Sequence, residues 1–197
     1  MAYINYLDEV KLSNKVYKKF PVILNNEHIL NRLVLKYFLS HRVVWSESTR
    51  RTYSKHLCDF FSQLEVENPE VSFDYIDDDW LEAYADQILE RNSNFPIYVS
   101  QILTTVINFL VWCEDNEYCK NLIGTASTFK IRIISNKDSF THQLIQYYSK
   151  QKSPLKLAPK EEWIEKVLAV EHFKSNSLET RFSVMVDWGK DAGLRAH

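Results

Sequence analysis

The chain has 197 residues, of which 45% are hydrophobic and 14% aromatic, and its net charge is −2. Such a chain can bury the core of one large domain or two small ones, and it lies outside the disordered class. Its three glycines are too few for a turn-rich β sandwich or a phosphate-binding glycine loop. Three cysteines without Cys-x-x-Cys spacing argue against a disulfide framework and a zinc site. The composition predicts a mainly helical fold.

Charge is distributed unevenly along the chain. Residues 1–60 carry ten basic and five acidic side chains, residues 61–90 ten acidic and no basic ones, and residues 125–160 seven basic and one acidic. A solvated surface explains any single cluster, but the alternation indicates a polarised molecule that can face a polyanion. No secretory leader opens the chain, and no apolar run reaches the roughly 18 residues of a membrane span. We therefore expect a cytoplasmic protein without membrane contact.

The first part of the chain contains an arm and two predicted helices. Residues 1–24 are rich in lysine and show no clear period, which predicts an irregular N-terminal arm or tail. A helix is predicted near residues 26–40, and a second begins after Ser46 or Ser48, because serine is a good N-cap. The buried stripe of the second helix consists of Tyr53, Leu57, Phe60, Phe61 and Leu64. Asn68-Pro69 ends this helix.

Two further helices complete a predicted four-helix unit. Asp77-Asp78-Asp79 predicts the start of the third helix, because the helix dipole favours acidic residues in the first turn. Pro96 begins the fourth, which continues to about Asp115 and is the most apolar of the set. Gly124 closes the unit. Residues 129–134 alternate partly and predict an extended segment, residues 150–159 read as a connector, and helices follow near residues 160–170 and 178–190.

Several patterns follow one another in a fixed order. The second helix reads Thr49-x-x-x-Tyr53-x-x-x-Leu57-x-x-Phe60-Phe61, and the fourth reads Val99-x-x-x-Leu103-x-x-Val106-x-x-Phe109-x-x-Trp112. Leu157-Ala158-Pro159-Lys160-Glu161-Glu162-Trp163 precedes an apolar helix, and a later helix ends at Gly193-Leu194-Arg195. This order resembles the tyrosine recombinases, the phage-integrase family. The resemblance implies a SAM-like core-binding domain over residues 25–124. A linker and the truncated start of an α+β catalytic domain would follow over residues 125–197.

The resemblance also implies a set of DNA-binding residues. The second and fourth helices would present their polar faces to the major groove, and the linker would track the phosphate backbone. The matching residues are Arg50, Arg51, Lys55, Gln101, Thr104, Lys130 and Arg132. An ordinary exposed helix face is the alternative for any one of them. Because Arg50 and Arg51 are read as lying off the apolar stripe, replacing either by Ala is expected to weaken DNA binding without unfolding the domain.

Arg195 is the one catalytic residue that the resemblance implies. Its guanidinium would clamp the scissile phosphate and stabilise charge in the transition state, with no metal or cofactor. The nucleophilic tyrosine and the later catalytic boxes would lie beyond residue 197, so the chain as given is expected to be inactive. Family members assemble as tetramers on paired sites of double-stranded DNA. The alternatives are a non-enzymatic helical protein-interaction module and a complete small enzyme, which no group of residues supports.

Overall fold

The computed structural model describes residues 1–12, 14–67, 72–92, 95–136 and 139–151. All of them belong to the first of two units of the chain, Met1–Ser153. This unit is mainly α. Its helices are α1 (Arg32–Ser40), α2 (Glu47–Glu67), α3 (Asp78–Arg91), α4 (Pro96–Asp115) and α5 (Gln143–Lys150). Its strands are β1 (Tyr3–Leu12), β2 (Lys15–Leu24), β3 (Ile123–Gly124), β4 (Ile131–Arg132), β5 (Ile134–Asn136) and β6 (Ser139–Thr141). Arg195 and the helices predicted near residues 160–170 and 178–190 lie outside the described residues.

The N-terminal arm predicted as irregular is a β hairpin, so that prediction was wrong. Strand β1 pairs antiparallel with β2, from Tyr3 opposite Leu24 to Leu12 opposite Lys15. The second half of β2 is buried against the helices, with Phe20 and Ile23 each only 1% exposed. Aromatic and β-branched residues suit a half-buried strand, and the lysines occupy exposed positions between them. The hairpin is thus part of the core and not a free tail.

The first two helices begin where side chains cap them. The Asn31 side chain accepts the backbone N–H of Val34 at 3.1 Å and fixes the start of α1. Ser46, one of the two predicted caps, accepts the backbone N–H of Thr49 at 3.0 Å. The predicted stripe of α2 is confirmed, because all its members are buried except the half-buried Tyr53. Helix α1 is shorter than predicted, since residues 26–31 form the connection from the hairpin.

The boundaries of α3 and α4 agree with the sequence. The Asp77 carboxylate accepts the backbone N–H of Trp80 at 2.8 Å, and Pro96 occupies the first turn of α4. Helix α4 lies at the centre of the core. By length and composition alone it could cross a membrane, but 61% of its most apolar window is buried inside the protein, as in the core helix of a soluble protein. This is weak evidence for a membrane span.

The chain beyond α4 continues to pack on the same core. The Glu114 carboxylate accepts the backbone N–H groups of Asn121 and Leu122 at 2.8 and 3.0 Å, which clips the turn that leaves the helix. Strands β3 and β4 then pair in parallel. Gly124 leaves room there for the Phe129 ring, because a Cβ atom would lie 2.5 Å from it and the ring would have to move.

Helix α5 closes this part of the molecule. The Tyr148 hydroxyl donates to Asp86 of α3 at 2.7 Å, and the buried His142 caps α5 while it bonds to Asp78 at 2.9 Å. Ile131, Leu144 and Tyr148 join the same hydrophobic cluster as α1–α4. Residues 125–151 therefore belong with the helices and not to a separate linker, and the boundary between units falls after Ser153 and not after Gly124.

Candidate nucleic-acid interface

Helices α2 and α4 pack side by side and run in the same direction. His56 of α2 meets Thr105 of α4, with Nδ1 2.8 Å from the hydroxyl oxygen, and one turn further Phe61 contacts Phe109 with ring centres 5.7 Å apart. The N-terminal halves of the two helices are therefore neighbours. The exposed faces of these two half-helices form the candidate interface.

Three of the predicted DNA-binding residues are exposed on these two half-helices. They are Arg51, Lys55 and Gln101, and we call them the α2–α4 edge. Arg51 and Lys55 are one turn apart on α2. Gln101 lies one turn before Thr105 on α4. Thr105 bonds to His56, which follows Lys55 on α2. Thr104 is half-buried, and its hydroxyl donates to a backbone carbonyl of its own helix. The structure thus places two cations on the exposed face of α2 and one amide on the exposed face of the neighbouring half of α4.

Arg50 is not on this edge, and the exposure predicted for it was wrong. Its side chain is buried, with only 6% of its surface exposed. The guanidinium lies over the rings of Tyr17 and Phe20, 5.6 and 5.8 Å from their centres, and Nη1 donates to the carbonyl oxygen of Trp45 at 2.6 Å. Arg50 stands seven residues before Leu57, so the helical period places it on the buried face. Its role is to join the hairpin to α2.

Lys130 and Arg132 are exposed but lie away from the α2–α4 edge. Nζ of Lys130 donates to the carbonyl oxygen of Asp74 at 2.7 Å, and the backbone N–H of Arg132 donates to a carboxylate at the start of α3. That end of α3 packs on the C-terminal half of α2, where the Trp80 indole bonds to Glu67. The α2–α4 edge is in the N-terminal half of α2. The structure therefore does not bring the two groups of basic residues together.

The hairpin supplies basic residues that the sequence analysis did not assign. Ala2 accepts a hydrogen bond from Ser62, near the C-terminal end of α2, whereas Tyr17 meets Arg50 near its N-terminal end. The hairpin thus runs along α2, and its turn lies toward the end that carries the α2–α4 edge. The exposed lysines of the hairpin are Lys11, Lys15, Lys18 and Lys19. A turn at Asn14 between two runs of aromatic and β-branched residues was the signal that could have revealed the hairpin.

The charges around the α2–α4 edge favour an anionic partner. Asp59, one turn after Lys55, is already neutralised by a two-pronged ion pair with Arg91, at 2.9 and 3.2 Å. The Tyr84 hydroxyl donates to the same carboxylate at 2.8 Å. The exposed carboxylates of α3 lie on a different helix face, at Asp79, Glu82, Asp86 and Glu90. The two cations of the edge are therefore balanced only by Glu47, one turn before Arg51, and the edge keeps a net positive charge.

His56 fixes the two helices against each other at this level. The Thr105 hydroxyl donates to the carbonyl oxygen of Gln101 at 3.1 Å, so Nδ1–H of His56 is the donor to Thr105. The pKa of His56 is lowered to about 4, mainly by burial; the nearby Asp59 carboxylate opposes this shift and Lys55 adds to it. The histidine is therefore neutral in the folded protein at neutral pH.

We expect the free energy of unfolding to fall as the pH drops from about 6.5 toward about 4, by about 3 kcal/mol at most from this residue. Over that range the unfolded chain binds a proton on His56 and the folded chain does not. Urea denaturation at several pH values should show a shallower pH dependence for His56→Asn, whose amide can replace the Nδ1–H donor. Identical pH slopes for the variant and the original chain would rule out this role.

Comparisons with known proteins add no assignment, since no family model, curated protein or solved structure matches this chain. Among the described residues, no group of three or more His, Cys, Asp or Glu side chains could hold a metal ion. Any function must therefore be inferred from the residues of the chain itself. The chemistry available at the α2–α4 edge is the binding of an anion by guanidinium, ammonium and amide donors.

Proposed function

We propose that the chain is the DNA-binding portion of a site-specific tyrosine recombinase, which cuts and rejoins DNA through a phosphotyrosyl intermediate. In this proposal the helices within Met1–Ser153 form a SAM-like core-binding domain. Double-stranded DNA is the partner, and the complete recombinase assembles on paired sites in the cytoplasm. Arg195 contacts the scissile phosphate.

The α2–α4 edge carries the proposal. It combines an arginine, a lysine and a glutamine on the adjacent N-terminal halves of two packed helices. Arginine and lysine pair with phosphates or with guanine, and glutamine can bind adenine through two hydrogen bonds. The positive ends of the helix dipoles add to the attraction for phosphate. Four exposed lysines of the hairpin lie toward the same end of α2, with Glu9 opposite Lys18, and add positive charge at that end.

The order of the sequence patterns supports the recombinase in particular. A helical unit precedes a segment that ends in Gly193-Leu194-Arg195, as in the family that the sequence resembles. An α-helical unit alone is compatible with many functions. The pairing of this motif with an edge of net positive charge favours a protein that acts on DNA over a protein-interaction module.

We expect the chain to bind duplex DNA with an affinity that falls steeply as salt rises, because phosphate contacts release counterions. The double variant Arg51→Ala/Lys55→Ala should bind about tenfold or more weakly at low salt. Its slope of log affinity against log salt should be smaller by about 2, since each lost phosphate contact removes about one unit. Fluorescence anisotropy of a labelled duplex at several salt concentrations measures both quantities.

The matched control is Lys130→Ala/Arg132→Ala, which removes the same charge at the other end of α2. It should bind the duplex nearly as the original chain does. If this control loses affinity and the α2–α4 variant does not, the DNA contact lies elsewhere. Absence of duplex binding at low salt would support the protein-interaction module instead.

A further inference from the structure

A cleft of about 670 Å³ opens on the side of the unit where α3 begins. Three segments form it: the start of α1, the single 3₁₀ turn Phe73–Tyr75 and the turn that follows α4. Its apolar lining includes Leu33, Phe61, Phe73 and Leu122. This volume falls within the range of small-molecule sites, roughly 300–1,000 Å³, which combine an apolar lining with a few charged groups.

The charged groups at this cleft are mostly positive. Arg32, Lys120 and Lys130 line it, against one carboxylate, Asp74. The Lys130 side chain is held by its bond to the Asp74 carbonyl oxygen. The side chains of Arg32 and Lys120 make no hydrogen bond or ion pair with any other residue that the structure describes. Three cations that line one cleft, one of them held in place, are suited to a multiply charged anion such as a phosphate.

The cleft also offers an aromatic surface and an acceptor. Tyr118 lines it and is 42% exposed; Nζ of Lys36 lies 4.9 Å from the centre of its ring, and the Trp112 ring lies against it with the ring centres 5.3 Å apart. A planar base can pack on the part of the ring that Lys36 and Trp112 leave exposed. The Asp74 carboxylate accepts a hydrogen bond from Ser72 and remains exposed, so it can accept further bonds from sugar hydroxyls.

We propose that this cleft is a binding site for a free mononucleotide. The phosphate is held by Arg32, Lys120 and Lys130, the base packs against Tyr118, and Asp74 accepts a sugar hydroxyl. The site is separate from the α2–α4 edge and does not depend on duplex binding. It would let the protein respond to a small nucleotide in addition to its proposed DNA partner.

Isothermal titration of the full chain with each of the four nucleoside monophosphates tests the site. We expect at least one of them to bind more tightly than inorganic phosphate or the matching nucleoside. Arg32→Ala/Lys120→Ala should weaken that binding roughly tenfold or more, because charge-assisted bonds to the phosphate are lost. Tyr118→Leu should weaken binding of the mononucleotide but not binding of inorganic phosphate. Lys150→Ala, which removes an exposed lysine at the end of α5, should bind the mononucleotide as the original chain does.

The site would be refuted if no monophosphate binds, if inorganic phosphate binds equally well, or if the double variant binds normally. Thermal melts confirm that each variant is folded, and Arg32→Gln/Lys120→Gln replaces the alanine variant if that one is unstable. The Arg32→Ala/Lys120→Ala variant should bind duplex DNA with the same affinity as the original chain. Loss of nucleotide binding with intact duplex binding separates this site from the DNA-binding edge, and the reverse result would overturn it.

Discussion

Arg50→Ala should lower the free energy of unfolding by about 2–4 kcal/mol, because it removes a charge-assisted hydrogen bond and two cation–π contacts. The Arg50 guanidinium bonds to the Trp45 carbonyl and lies over the rings of Tyr17 and Phe20. Its Nε has no partner among the described residues, so part of the gain is offset by desolvation. Chemical denaturation followed by circular dichroism measures the change.

Arg51→Ala is the matched control, since it removes the same side chain from the next position on an exposed face. Its free energy of unfolding should stay within about 0.5 kcal/mol of the original. Arg50→Met, which keeps much of the packing, should lose less than Arg50→Ala. Equal stability of the Arg50 and Arg51 alanine variants would mean that Arg50 does not anchor the hairpin.

Arg195→Ala should lower the rate of strand cleavage about 100- to 1,000-fold or more in a protein that carries the rest of the proposed catalytic domain. Site binding should be nearly unchanged. The guanidinium is proposed to stabilise charge that develops on the phosphate only in the transition state, so its loss affects the rate and not the affinity. A suicide DNA substrate that traps the covalent protein–DNA intermediate measures cleavage.

Arg195→Lys sharpens this test, because lysine keeps the charge but not the planar pair of donors. It should remain strongly impaired. Arg181→Ala, in the same segment of the sequence, should cleave normally. Cleavage by Arg195→Ala at the original rate would contradict the catalytic role of Arg195, on which the proposed recombinase function depends. The proposal that the α2–α4 edge binds duplex DNA would be unaffected.

Local signals in the sequence were sufficient to predict the central helices. Asp77 is a capping residue before an acidic first turn, and Pro96 begins a long run of apolar residues at helical spacing. Such signals act within a few residues and depend little on the rest of the fold. The exposure of Arg51, Lys55 and Gln101 could be predicted for the same reason, because helical periodicity separates them from the buried face.

Features that depend on long-range packing could not be read in the same way. The lysines of residues 1–24 concealed a hairpin whose burial depends on helices far along the chain. Arg50 looked like a surface residue by its type, although its spacing from Leu57 placed it on the buried stripe. Lys130 and Arg132 could not be located, because contacts with the start of α3 decide their position.

Mapping the duplex onto the full chain by nitrogen-15 amide chemical shifts tests the proposed function most directly. The proposal predicts that the largest changes fall at the starts of α2 and α4, around residues 46–56 and 97–104, and near the turn of the hairpin. The acidic face of α3 should change little. Changes concentrated on α3 or α5, or no change at low salt and excess duplex, would contradict the claim that the α2–α4 edge binds DNA.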